Sequence, residues 1–151
     1  MLMKKIAQSD PGKLMGTYVA FLRALYIIHQ NGHWKCKGPN FYAHHLMLER
    51  IYKSAAEDAD LAAEKTIGLF GNDSINLPAQ SKLIQQITER YSSDNHIENS
   101  LKAEKDFIIL SKKIYNTLKE ADSLSLGLDD AIMSISSNRE GNIYLLQQSL
   151  A

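Results

Sequence analysis

From about residue 13 the apolar side chains Leu14, Tyr18, Leu22, Leu25 and Ile28 recur at three- and four-residue steps, the spacing that lines one face of a helix. The pattern predicts a first helix to about Lys37, stopped by Gly38 and Pro39. Asn40 stands where it caps a second helix, whose stripe passes through Phe41, Leu48, Tyr52, Ala55, Ala59, Ala62 and Leu69 before Gly71 ends it. Residues 71 to 80 read as a connection, followed by a short helix from Gln80 to Arg90. A third long helix, about His96 to Ala121, carries Ile97, Leu101, Phe107, Leu110, Ile114, Leu118 and Ala121 on one side. A fourth, from about Leu128, carries Ile132, Ile135, Ile143, Leu146 and Leu150, with Gly141 a weak point in its middle. Helices of about 25 residues are roughly 37 Å long. The long connection implies that the second and third run parallel, so the pattern predicts an all-α four-helix bundle.

Composition fits one domain. The 151 residues are 44% apolar, and valine occurs only at Val19 while proline occurs three times, so helix breakers and strand formers are both scarce. We expect a short flexible N-terminal tail at residues 1–12 and a single domain over residues 13–151, large enough to bury a core without staples. Four long helices with one long crossover describe a bundle of the ferritin-like type, here with a short extra helix in the crossover. The lone Cys36 excludes an internal disulfide and fits a reducing compartment. No apolar segment follows Lys4 and Lys5, so we expect no secretory signal and a cytoplasmic protein. The most apolar stretch, Tyr18 to Ile28, is interrupted by Arg23 and too short to cross a bilayer.

Seventeen basic and seventeen acidic residues leave a formal net charge of zero, which lacks the attractive field of a dedicated nucleic-acid binder. The only basic bias is Lys4, Lys5 and Lys13 against Asp10. DNA binding is therefore expected to be weak or absent.

Candidate chemistry gathers elsewhere. Of five histidines, three fall between His33 and His45, and acids follow on the second helix. At about 100° per residue, His45 and Glu49 share a face one turn apart, as do Asp60 and Glu64, whereas Glu57 and Asp58 fall elsewhere. The two pairs lie roughly 16 Å apart along the axis, beyond the reach of one metal. If the first two helices pack antiparallel, the Gly38-Pro39 turn returns His45 to His33. Two imidazoles and one carboxylate suit Fe(II), and also Zn(II) or Mn(II). Asp60 and Glu64 would complete the set from a second copy across a two-fold axis, which creates two equivalent sites. The within-bundle di-iron pattern needs a glutamate three residues before a histidine, and none exists here. The same acids also fit an ordinary solvated face balanced by Arg50, Lys53 and Lys65, and spacing leaves that alternative open.

The run from His33-Trp34 through Gly38 and His44-His45 to Glu49, followed by Asp60-x-x-x-Glu64 and Gly71, resembles the Dps mini-ferritins. The resemblance implies ferroxidase ligands at His33, His45 and Glu49 of one subunit and at Asp60 and Glu64 of its two-fold partner. It further implies a hollow dodecamer in which Fe(II) is oxidised at dimer interfaces, by hydrogen peroxide or O2, and stored as Fe(III) mineral. Trp34 would lie beside the site as an oxidisable ring. His44, Cys36 and Lys65 depart from the usual pattern without removing a ligand. His29 and His44 are candidates for an accessory position, with hydrogen bonding to ligands or plain packing as the alternative. A different class of function, a structural nucleoid-binding oligomer with a vestigial or zinc-occupied site, remains the alternative. So does a bundle adaptor that holds no metal.

Overall fold

The computed structural model of the chain describes residues 10–151, so the tail expected at residues 1–12 lies mostly outside the described residues. Five α-helices follow one another: α1 Pro11–Lys35, α2 Phe41–Phe70, α3 Leu77–Thr88, α4 His96–Glu120 and α5 Leu126–Leu150, with a 3-10 turn Asn72–Ser74 after α2. The fold is the all-α four-helix bundle with an extra helix in its crossover.

Helix starts are set by caps that periodicity does not register. The Asp10 side chain accepts from the Lys13 N–H, and Pro11 occupies the first turn, where its missing N–H costs nothing. Hence α1 begins three residues before Leu14, the first residue of its apolar stripe. Asn76 with Pro78 does the same for α3, and Ser125 starts α5 at Leu126. Asn40 holds the expected position, yet its side chain makes no capping bond; the Phe41 N–H instead donates to the Gly38 carbonyl. Gly141 leaves α5 unbroken. Phe41 and Leu69, expected in the stripe of α2, are exposed. They sit at the two ends of a 30-residue helix whose bundle neighbours have 25 residues, so those ends overrun the core.

Contacts fix the topology. His29 late in α1 meets Ser100 and Glu104 early in α4, and Tyr18 meets Phe107, so α1 and α4 are antiparallel. Met47 of α2 meets Ser149 of α5, and Asp58 meets Asn138, so that pair is antiparallel too. With α1 and α2 joined by a tight turn, α2 and α4 run parallel, as the long crossover implies. Tyr18 and Phe21 tilt against Phe107 with ring centroids 5.1 and 5.6 Å apart; each such pair adds about 0.5–1.5 kcal/mol beyond the area it buries. Ala55, Ala59 and Ala62 give α2 a narrow buried edge.

The crossover is clamped to α1. The Gln80 amide donates to the Gly16 carbonyl at 2.8 Å, and a Cβ at Gly16 would stand 2.5 Å from the Ser74 carbonyl oxygen. Only glycine lets the two backbones approach this closely. Among the described residues no helix is long and apolar enough to cross a membrane.

Candidate metal centre

The turn between α1 and α2 brings two histidines face to face. Gly38 reverses the chain at φ 102°, a left-handed conformation that glycine adopts without strain. His33, in the last turn of α1, and His45, in the first turns of α2, then stack with ring centroids 3.7 Å apart and 17° between their planes. Each ring is locked by the other's backbone: His33 Nδ1 donates to the His45 carbonyl and His45 Nδ1 to the His33 carbonyl, both at 2.8 Å. A carbonyl only accepts, so the proton of each neutral ring sits on Nδ1 and each Nε2 keeps its lone pair. Backbone donation of this kind is how proteins orient a metal-binding imidazole.

Aromatic and charged side chains surround the two rings. Tyr52 meets His33 edge-on at 5.3 Å and Tyr26 in turn meets Tyr52 at 5.4 Å; Phe41 tilts against His45 at 5.1 Å. Glu49, one turn after His45, is held below the usual carboxylate range mainly by its bond to Lys53, with smaller contributions from the Lys53, His33 and His45 charges. It therefore stays an anion beside the imidazoles, but shares its oxygen with a lysine. Trp34 is 65% exposed and points away from the packed core.

Asp60 and Glu64 are exposed on α2 and make no ion pair with any described residue. Asp60 lines an open apolar groove with Val19, Tyr26, Ile27, Ala59 and Ile84. Thus the structure gathers His33 and His45 with Glu49 nearby and leaves Asp60 and Glu64 apart from them. Among the described residues no three His, Cys, Asp or Glu side chains of one chain come together as a metal-holding group. His44 lies on another side, lining a cleft with Cys36 and His96. Burial raises the Cys36 thiol above its ordinary value.

His29, a candidate for an accessory position, is fully buried with both nitrogens engaged: Nδ1 to Ser100 Oγ and Nε2 to Glu104 Oε1, each at 2.8 Å. It belongs to a network the sequence reading missed. Arg139 Nη1 donates to the same Glu104 oxygen at 3.3 Å, Arg139 Nη2 reaches Ser54 Oγ at 2.5 Å, and Arg139 Nε lies 3.3 Å from Asp58 Oδ2. Asn138 donates to the other Asp58 oxygen. A signal for this cluster existed: Ile132, Ile135, Arg139, Asn142 and Leu146 form one helical stripe, so Arg139 stands where an apolar residue is expected.

Comparison with known proteins now bears on the fold. No family model matches the chain. It is 25% identical over 150 residues, 98% of its length and 99% of the relative's, to the DNA protection during starvation protein of Brevibacillus brevis. It superposes on the crystal structure of a Dps protein from Bacillus brevis with a TM-score of 0.78 at 21% identity, covering 97% of this chain and 98% of that one. The fold is that of the Dps proteins. A Dps structure from Vibrio cholerae O1, described as a member of a broad superfamily of ferritin-like diiron-carboxylate proteins, matches at TM-score 0.75 and 18% identity over 99% of this chain and 91% of that one. The Dps resemblance read from the His33 to Gly71 segment therefore extends over the whole described bundle.

Proposed function

We propose that this Dps-type chain is a ferroxidase that stores iron. Fe(II) binds between two-fold related copies, at His33, His45 and Glu49 of one and Asp60 and Glu64 of the other. The copies assemble into a hollow dodecamer that holds the Fe(III) mineral. The observation that carries this reading is the reciprocal backbone lock of His33 and His45, which leaves each Nε2 without a hydrogen-bond partner among the described residues. Two further features support it. Asp60, without an ion pair among the described residues, lines an apolar groove that includes the exposed Ile27, and Leu61 and Ile67 are exposed on the same helix α2, a surface suited to a second copy.

The chemistry asks little of the protein beyond holding two metal ions close together in an open donor set. Each Fe(II) gives up one electron. Hydrogen peroxide accepts two electrons and two protons and leaves as two waters, so no hydroxyl radical is released. The imidazoles, tied at Nδ1, offer Nε2 to Fe(II), and the carboxylates favour the Fe(III) product. Glu49 engages metal by exchanging Lys53 for the cation.

Stopped-flow oxidation of Fe(II) by peroxide tests the proposal. His33→Ala and Asp60→Ala should each slow it by at least about tenfold. Co-assembly of the two variants should restore part of the rate, because a mixed pair has one site with both lesions and one with neither. Unchanged rates in both variants would remove the proposal, and slow rates without restoration would place both residues in one chain's site. With a neutral average charge, a gel shift at physiological salt should show weak or no DNA retention.

A further inference from the structure

Gly141, in the middle of α5, and a set of polar side chains between α2 and α5 have no part in the proposed shared site. On α2, Arg50 and Ser54 stand one turn apart; on α5, Asn138 and Asn142 stand one turn apart, with Gly141 between them. The two helices are antiparallel, so these residues fall at one level, and together with Ser137 they line a single open cleft. A glycine inside a helix weakens it relative to alanine. Packing within the chain does not require one here, since a Cβ at Gly141 would meet nothing within 4 Å. What the glycine leaves is room.

The lining has one sign. Arg50 stays charged in a protein and forms no ion pair among the described residues, and no aspartate or glutamate lines the cleft. Ser54 Oγ accepts from Arg139 Nη2 at 2.5 Å, which leaves its own proton to donate elsewhere. Asn142 is 6% exposed, yet its amide Nδ2 has no partner among the described residues, and a buried donor is costly to leave unmade. Asn138 commits its Nδ2 to Asp58 and keeps Oδ1 as an acceptor. The ligand that answers this lining is an anion with several oxygens and one O–H. Inorganic phosphate near neutral pH is such an ion, because it is charged and still retains a P–OH. Sulfate carries no proton, and chloride offers no directed oxygens.

We propose that the cleft between α2 and α5 is a binding site for inorganic phosphate. Arg50 supplies the counter-charge, and its planar fork matches two oxygens of a phosphate at once. The Ser54 and Ser137 hydroxyls and the Asn142 amide are the further donors, and Gly141 is the gap that admits the ion. None of these residues belongs to the shared iron site, and the cleft needs no metal to bind its anion, so the inference does not depend on the function proposed above.

Equilibrium dialysis of the iron-free, assembled full-length protein against radiolabelled inorganic phosphate should show one saturable site per chain. Arg50→Gln should weaken it at least about tenfold, the loss expected for a hydrogen bond to a charged group. Gly141→Leu should abolish binding by filling the gap while the charge stays in place. Its thermal midpoint should not fall, because leucine favours the helix over glycine. Sulfate should compete at least about tenfold less well than phosphate, having no proton for Asn138, and a short DNA duplex, whose phosphodiesters also lack one, should not compete. Absence of a saturable site in the unsubstituted protein overturns the proposal, as does equal uptake by all three proteins. Equal competition by sulfate or displacement by DNA overturns the assignment to phosphate. A changed particle size of Gly141→Leu on size exclusion also overturns it, since the gap would then belong to a neighbouring copy.

Discussion

At the α1–α2 turn each imidazole commits its Nδ1 to a backbone carbonyl and keeps Nε2 open, whereas at mid-bundle His29 has both nitrogens tied to side chains of α4. The residue types are the same in both places: histidine, carboxylate and a basic side chain. What differs is where the basic group comes from. Lys53 approaches Glu49 from solvent on a flexible stem and can be exchanged, whereas Arg139 is locked between two buried acids. A cluster of ligand-type residues is therefore no metal site by composition alone. The two clusters differ in the identity and burial of the basic group that partners their acids.

The comparison is broken most forcefully at Arg139. Arg139→Met should destabilise the chain by about 3–5 kcal/mol, the cost of leaving buried charge uncompensated, measured by chemical denaturation. Next comes the contrast between the histidines. His29→Ala removes two buried hydrogen bonds and strands Ser100 and Glu104, so about 3 kcal/mol should be lost. His45→Ala, at the half-exposed turn, should cost only about 1 kcal/mol while abolishing metal binding at the turn. Equal stability losses in these two variants would erase the distinction between the regions.

A smaller effect separates the regions by pH. Burial raises Asp58 above the ordinary carboxylate range, outweighing Arg139 and Asn138, which lower it. A carboxyl raised in the folded state binds its proton more tightly there than when unfolded. Its contribution is present below the ordinary range and lost as pH rises through the raised value. Glu49, lowered mainly by Lys53, has the opposite sign: its contribution is present above the ordinary range and lost as pH falls through the lowered value. Asp58→Asn should therefore flatten the decline of stability on raising pH out of the ordinary carboxylate range, checked by denaturation at several pH values. The smallest effect is expected from Lys53→Met. It frees Glu49 from its partner and should tighten Co(II) binding at the turn only slightly, since solvent screens an exposed pair; titration calorimetry measures it.

Much of this architecture was legible in the sequence because amphipathic helices announce themselves by period. The stripe of α1 from Leu14 to Ile28 and the Gly38 and Gly71 stops fall where the pattern places them. Starts were less legible, since Asp10, Asn76 and Ser125 act through hydrogen bonds that hydropathy does not encode. The approach of His33 to His45 followed from their place on either side of a tight turn. The reciprocal carbonyl locks did not, because they depend on ring rotation. The mid-bundle network was missed for a different reason. Its members are separated by up to 110 positions, from His29 to Arg139, and Asp58 alone reads as one more acid on a charged helix.

The two stacked imidazoles lie only twelve positions apart along the chain, so the contact closing them belongs to a single helical hairpin. Local contacts of this kind form early in folding, ahead of pairings between distant segments. A newly made chain can thus set the geometry of these two imidazoles before it has met another molecule of its kind, and on the function proposed above encounter would need only supply the acids. Assembly would then be the step that arms the chemistry, with no reactive pocket existing on a solitary chain.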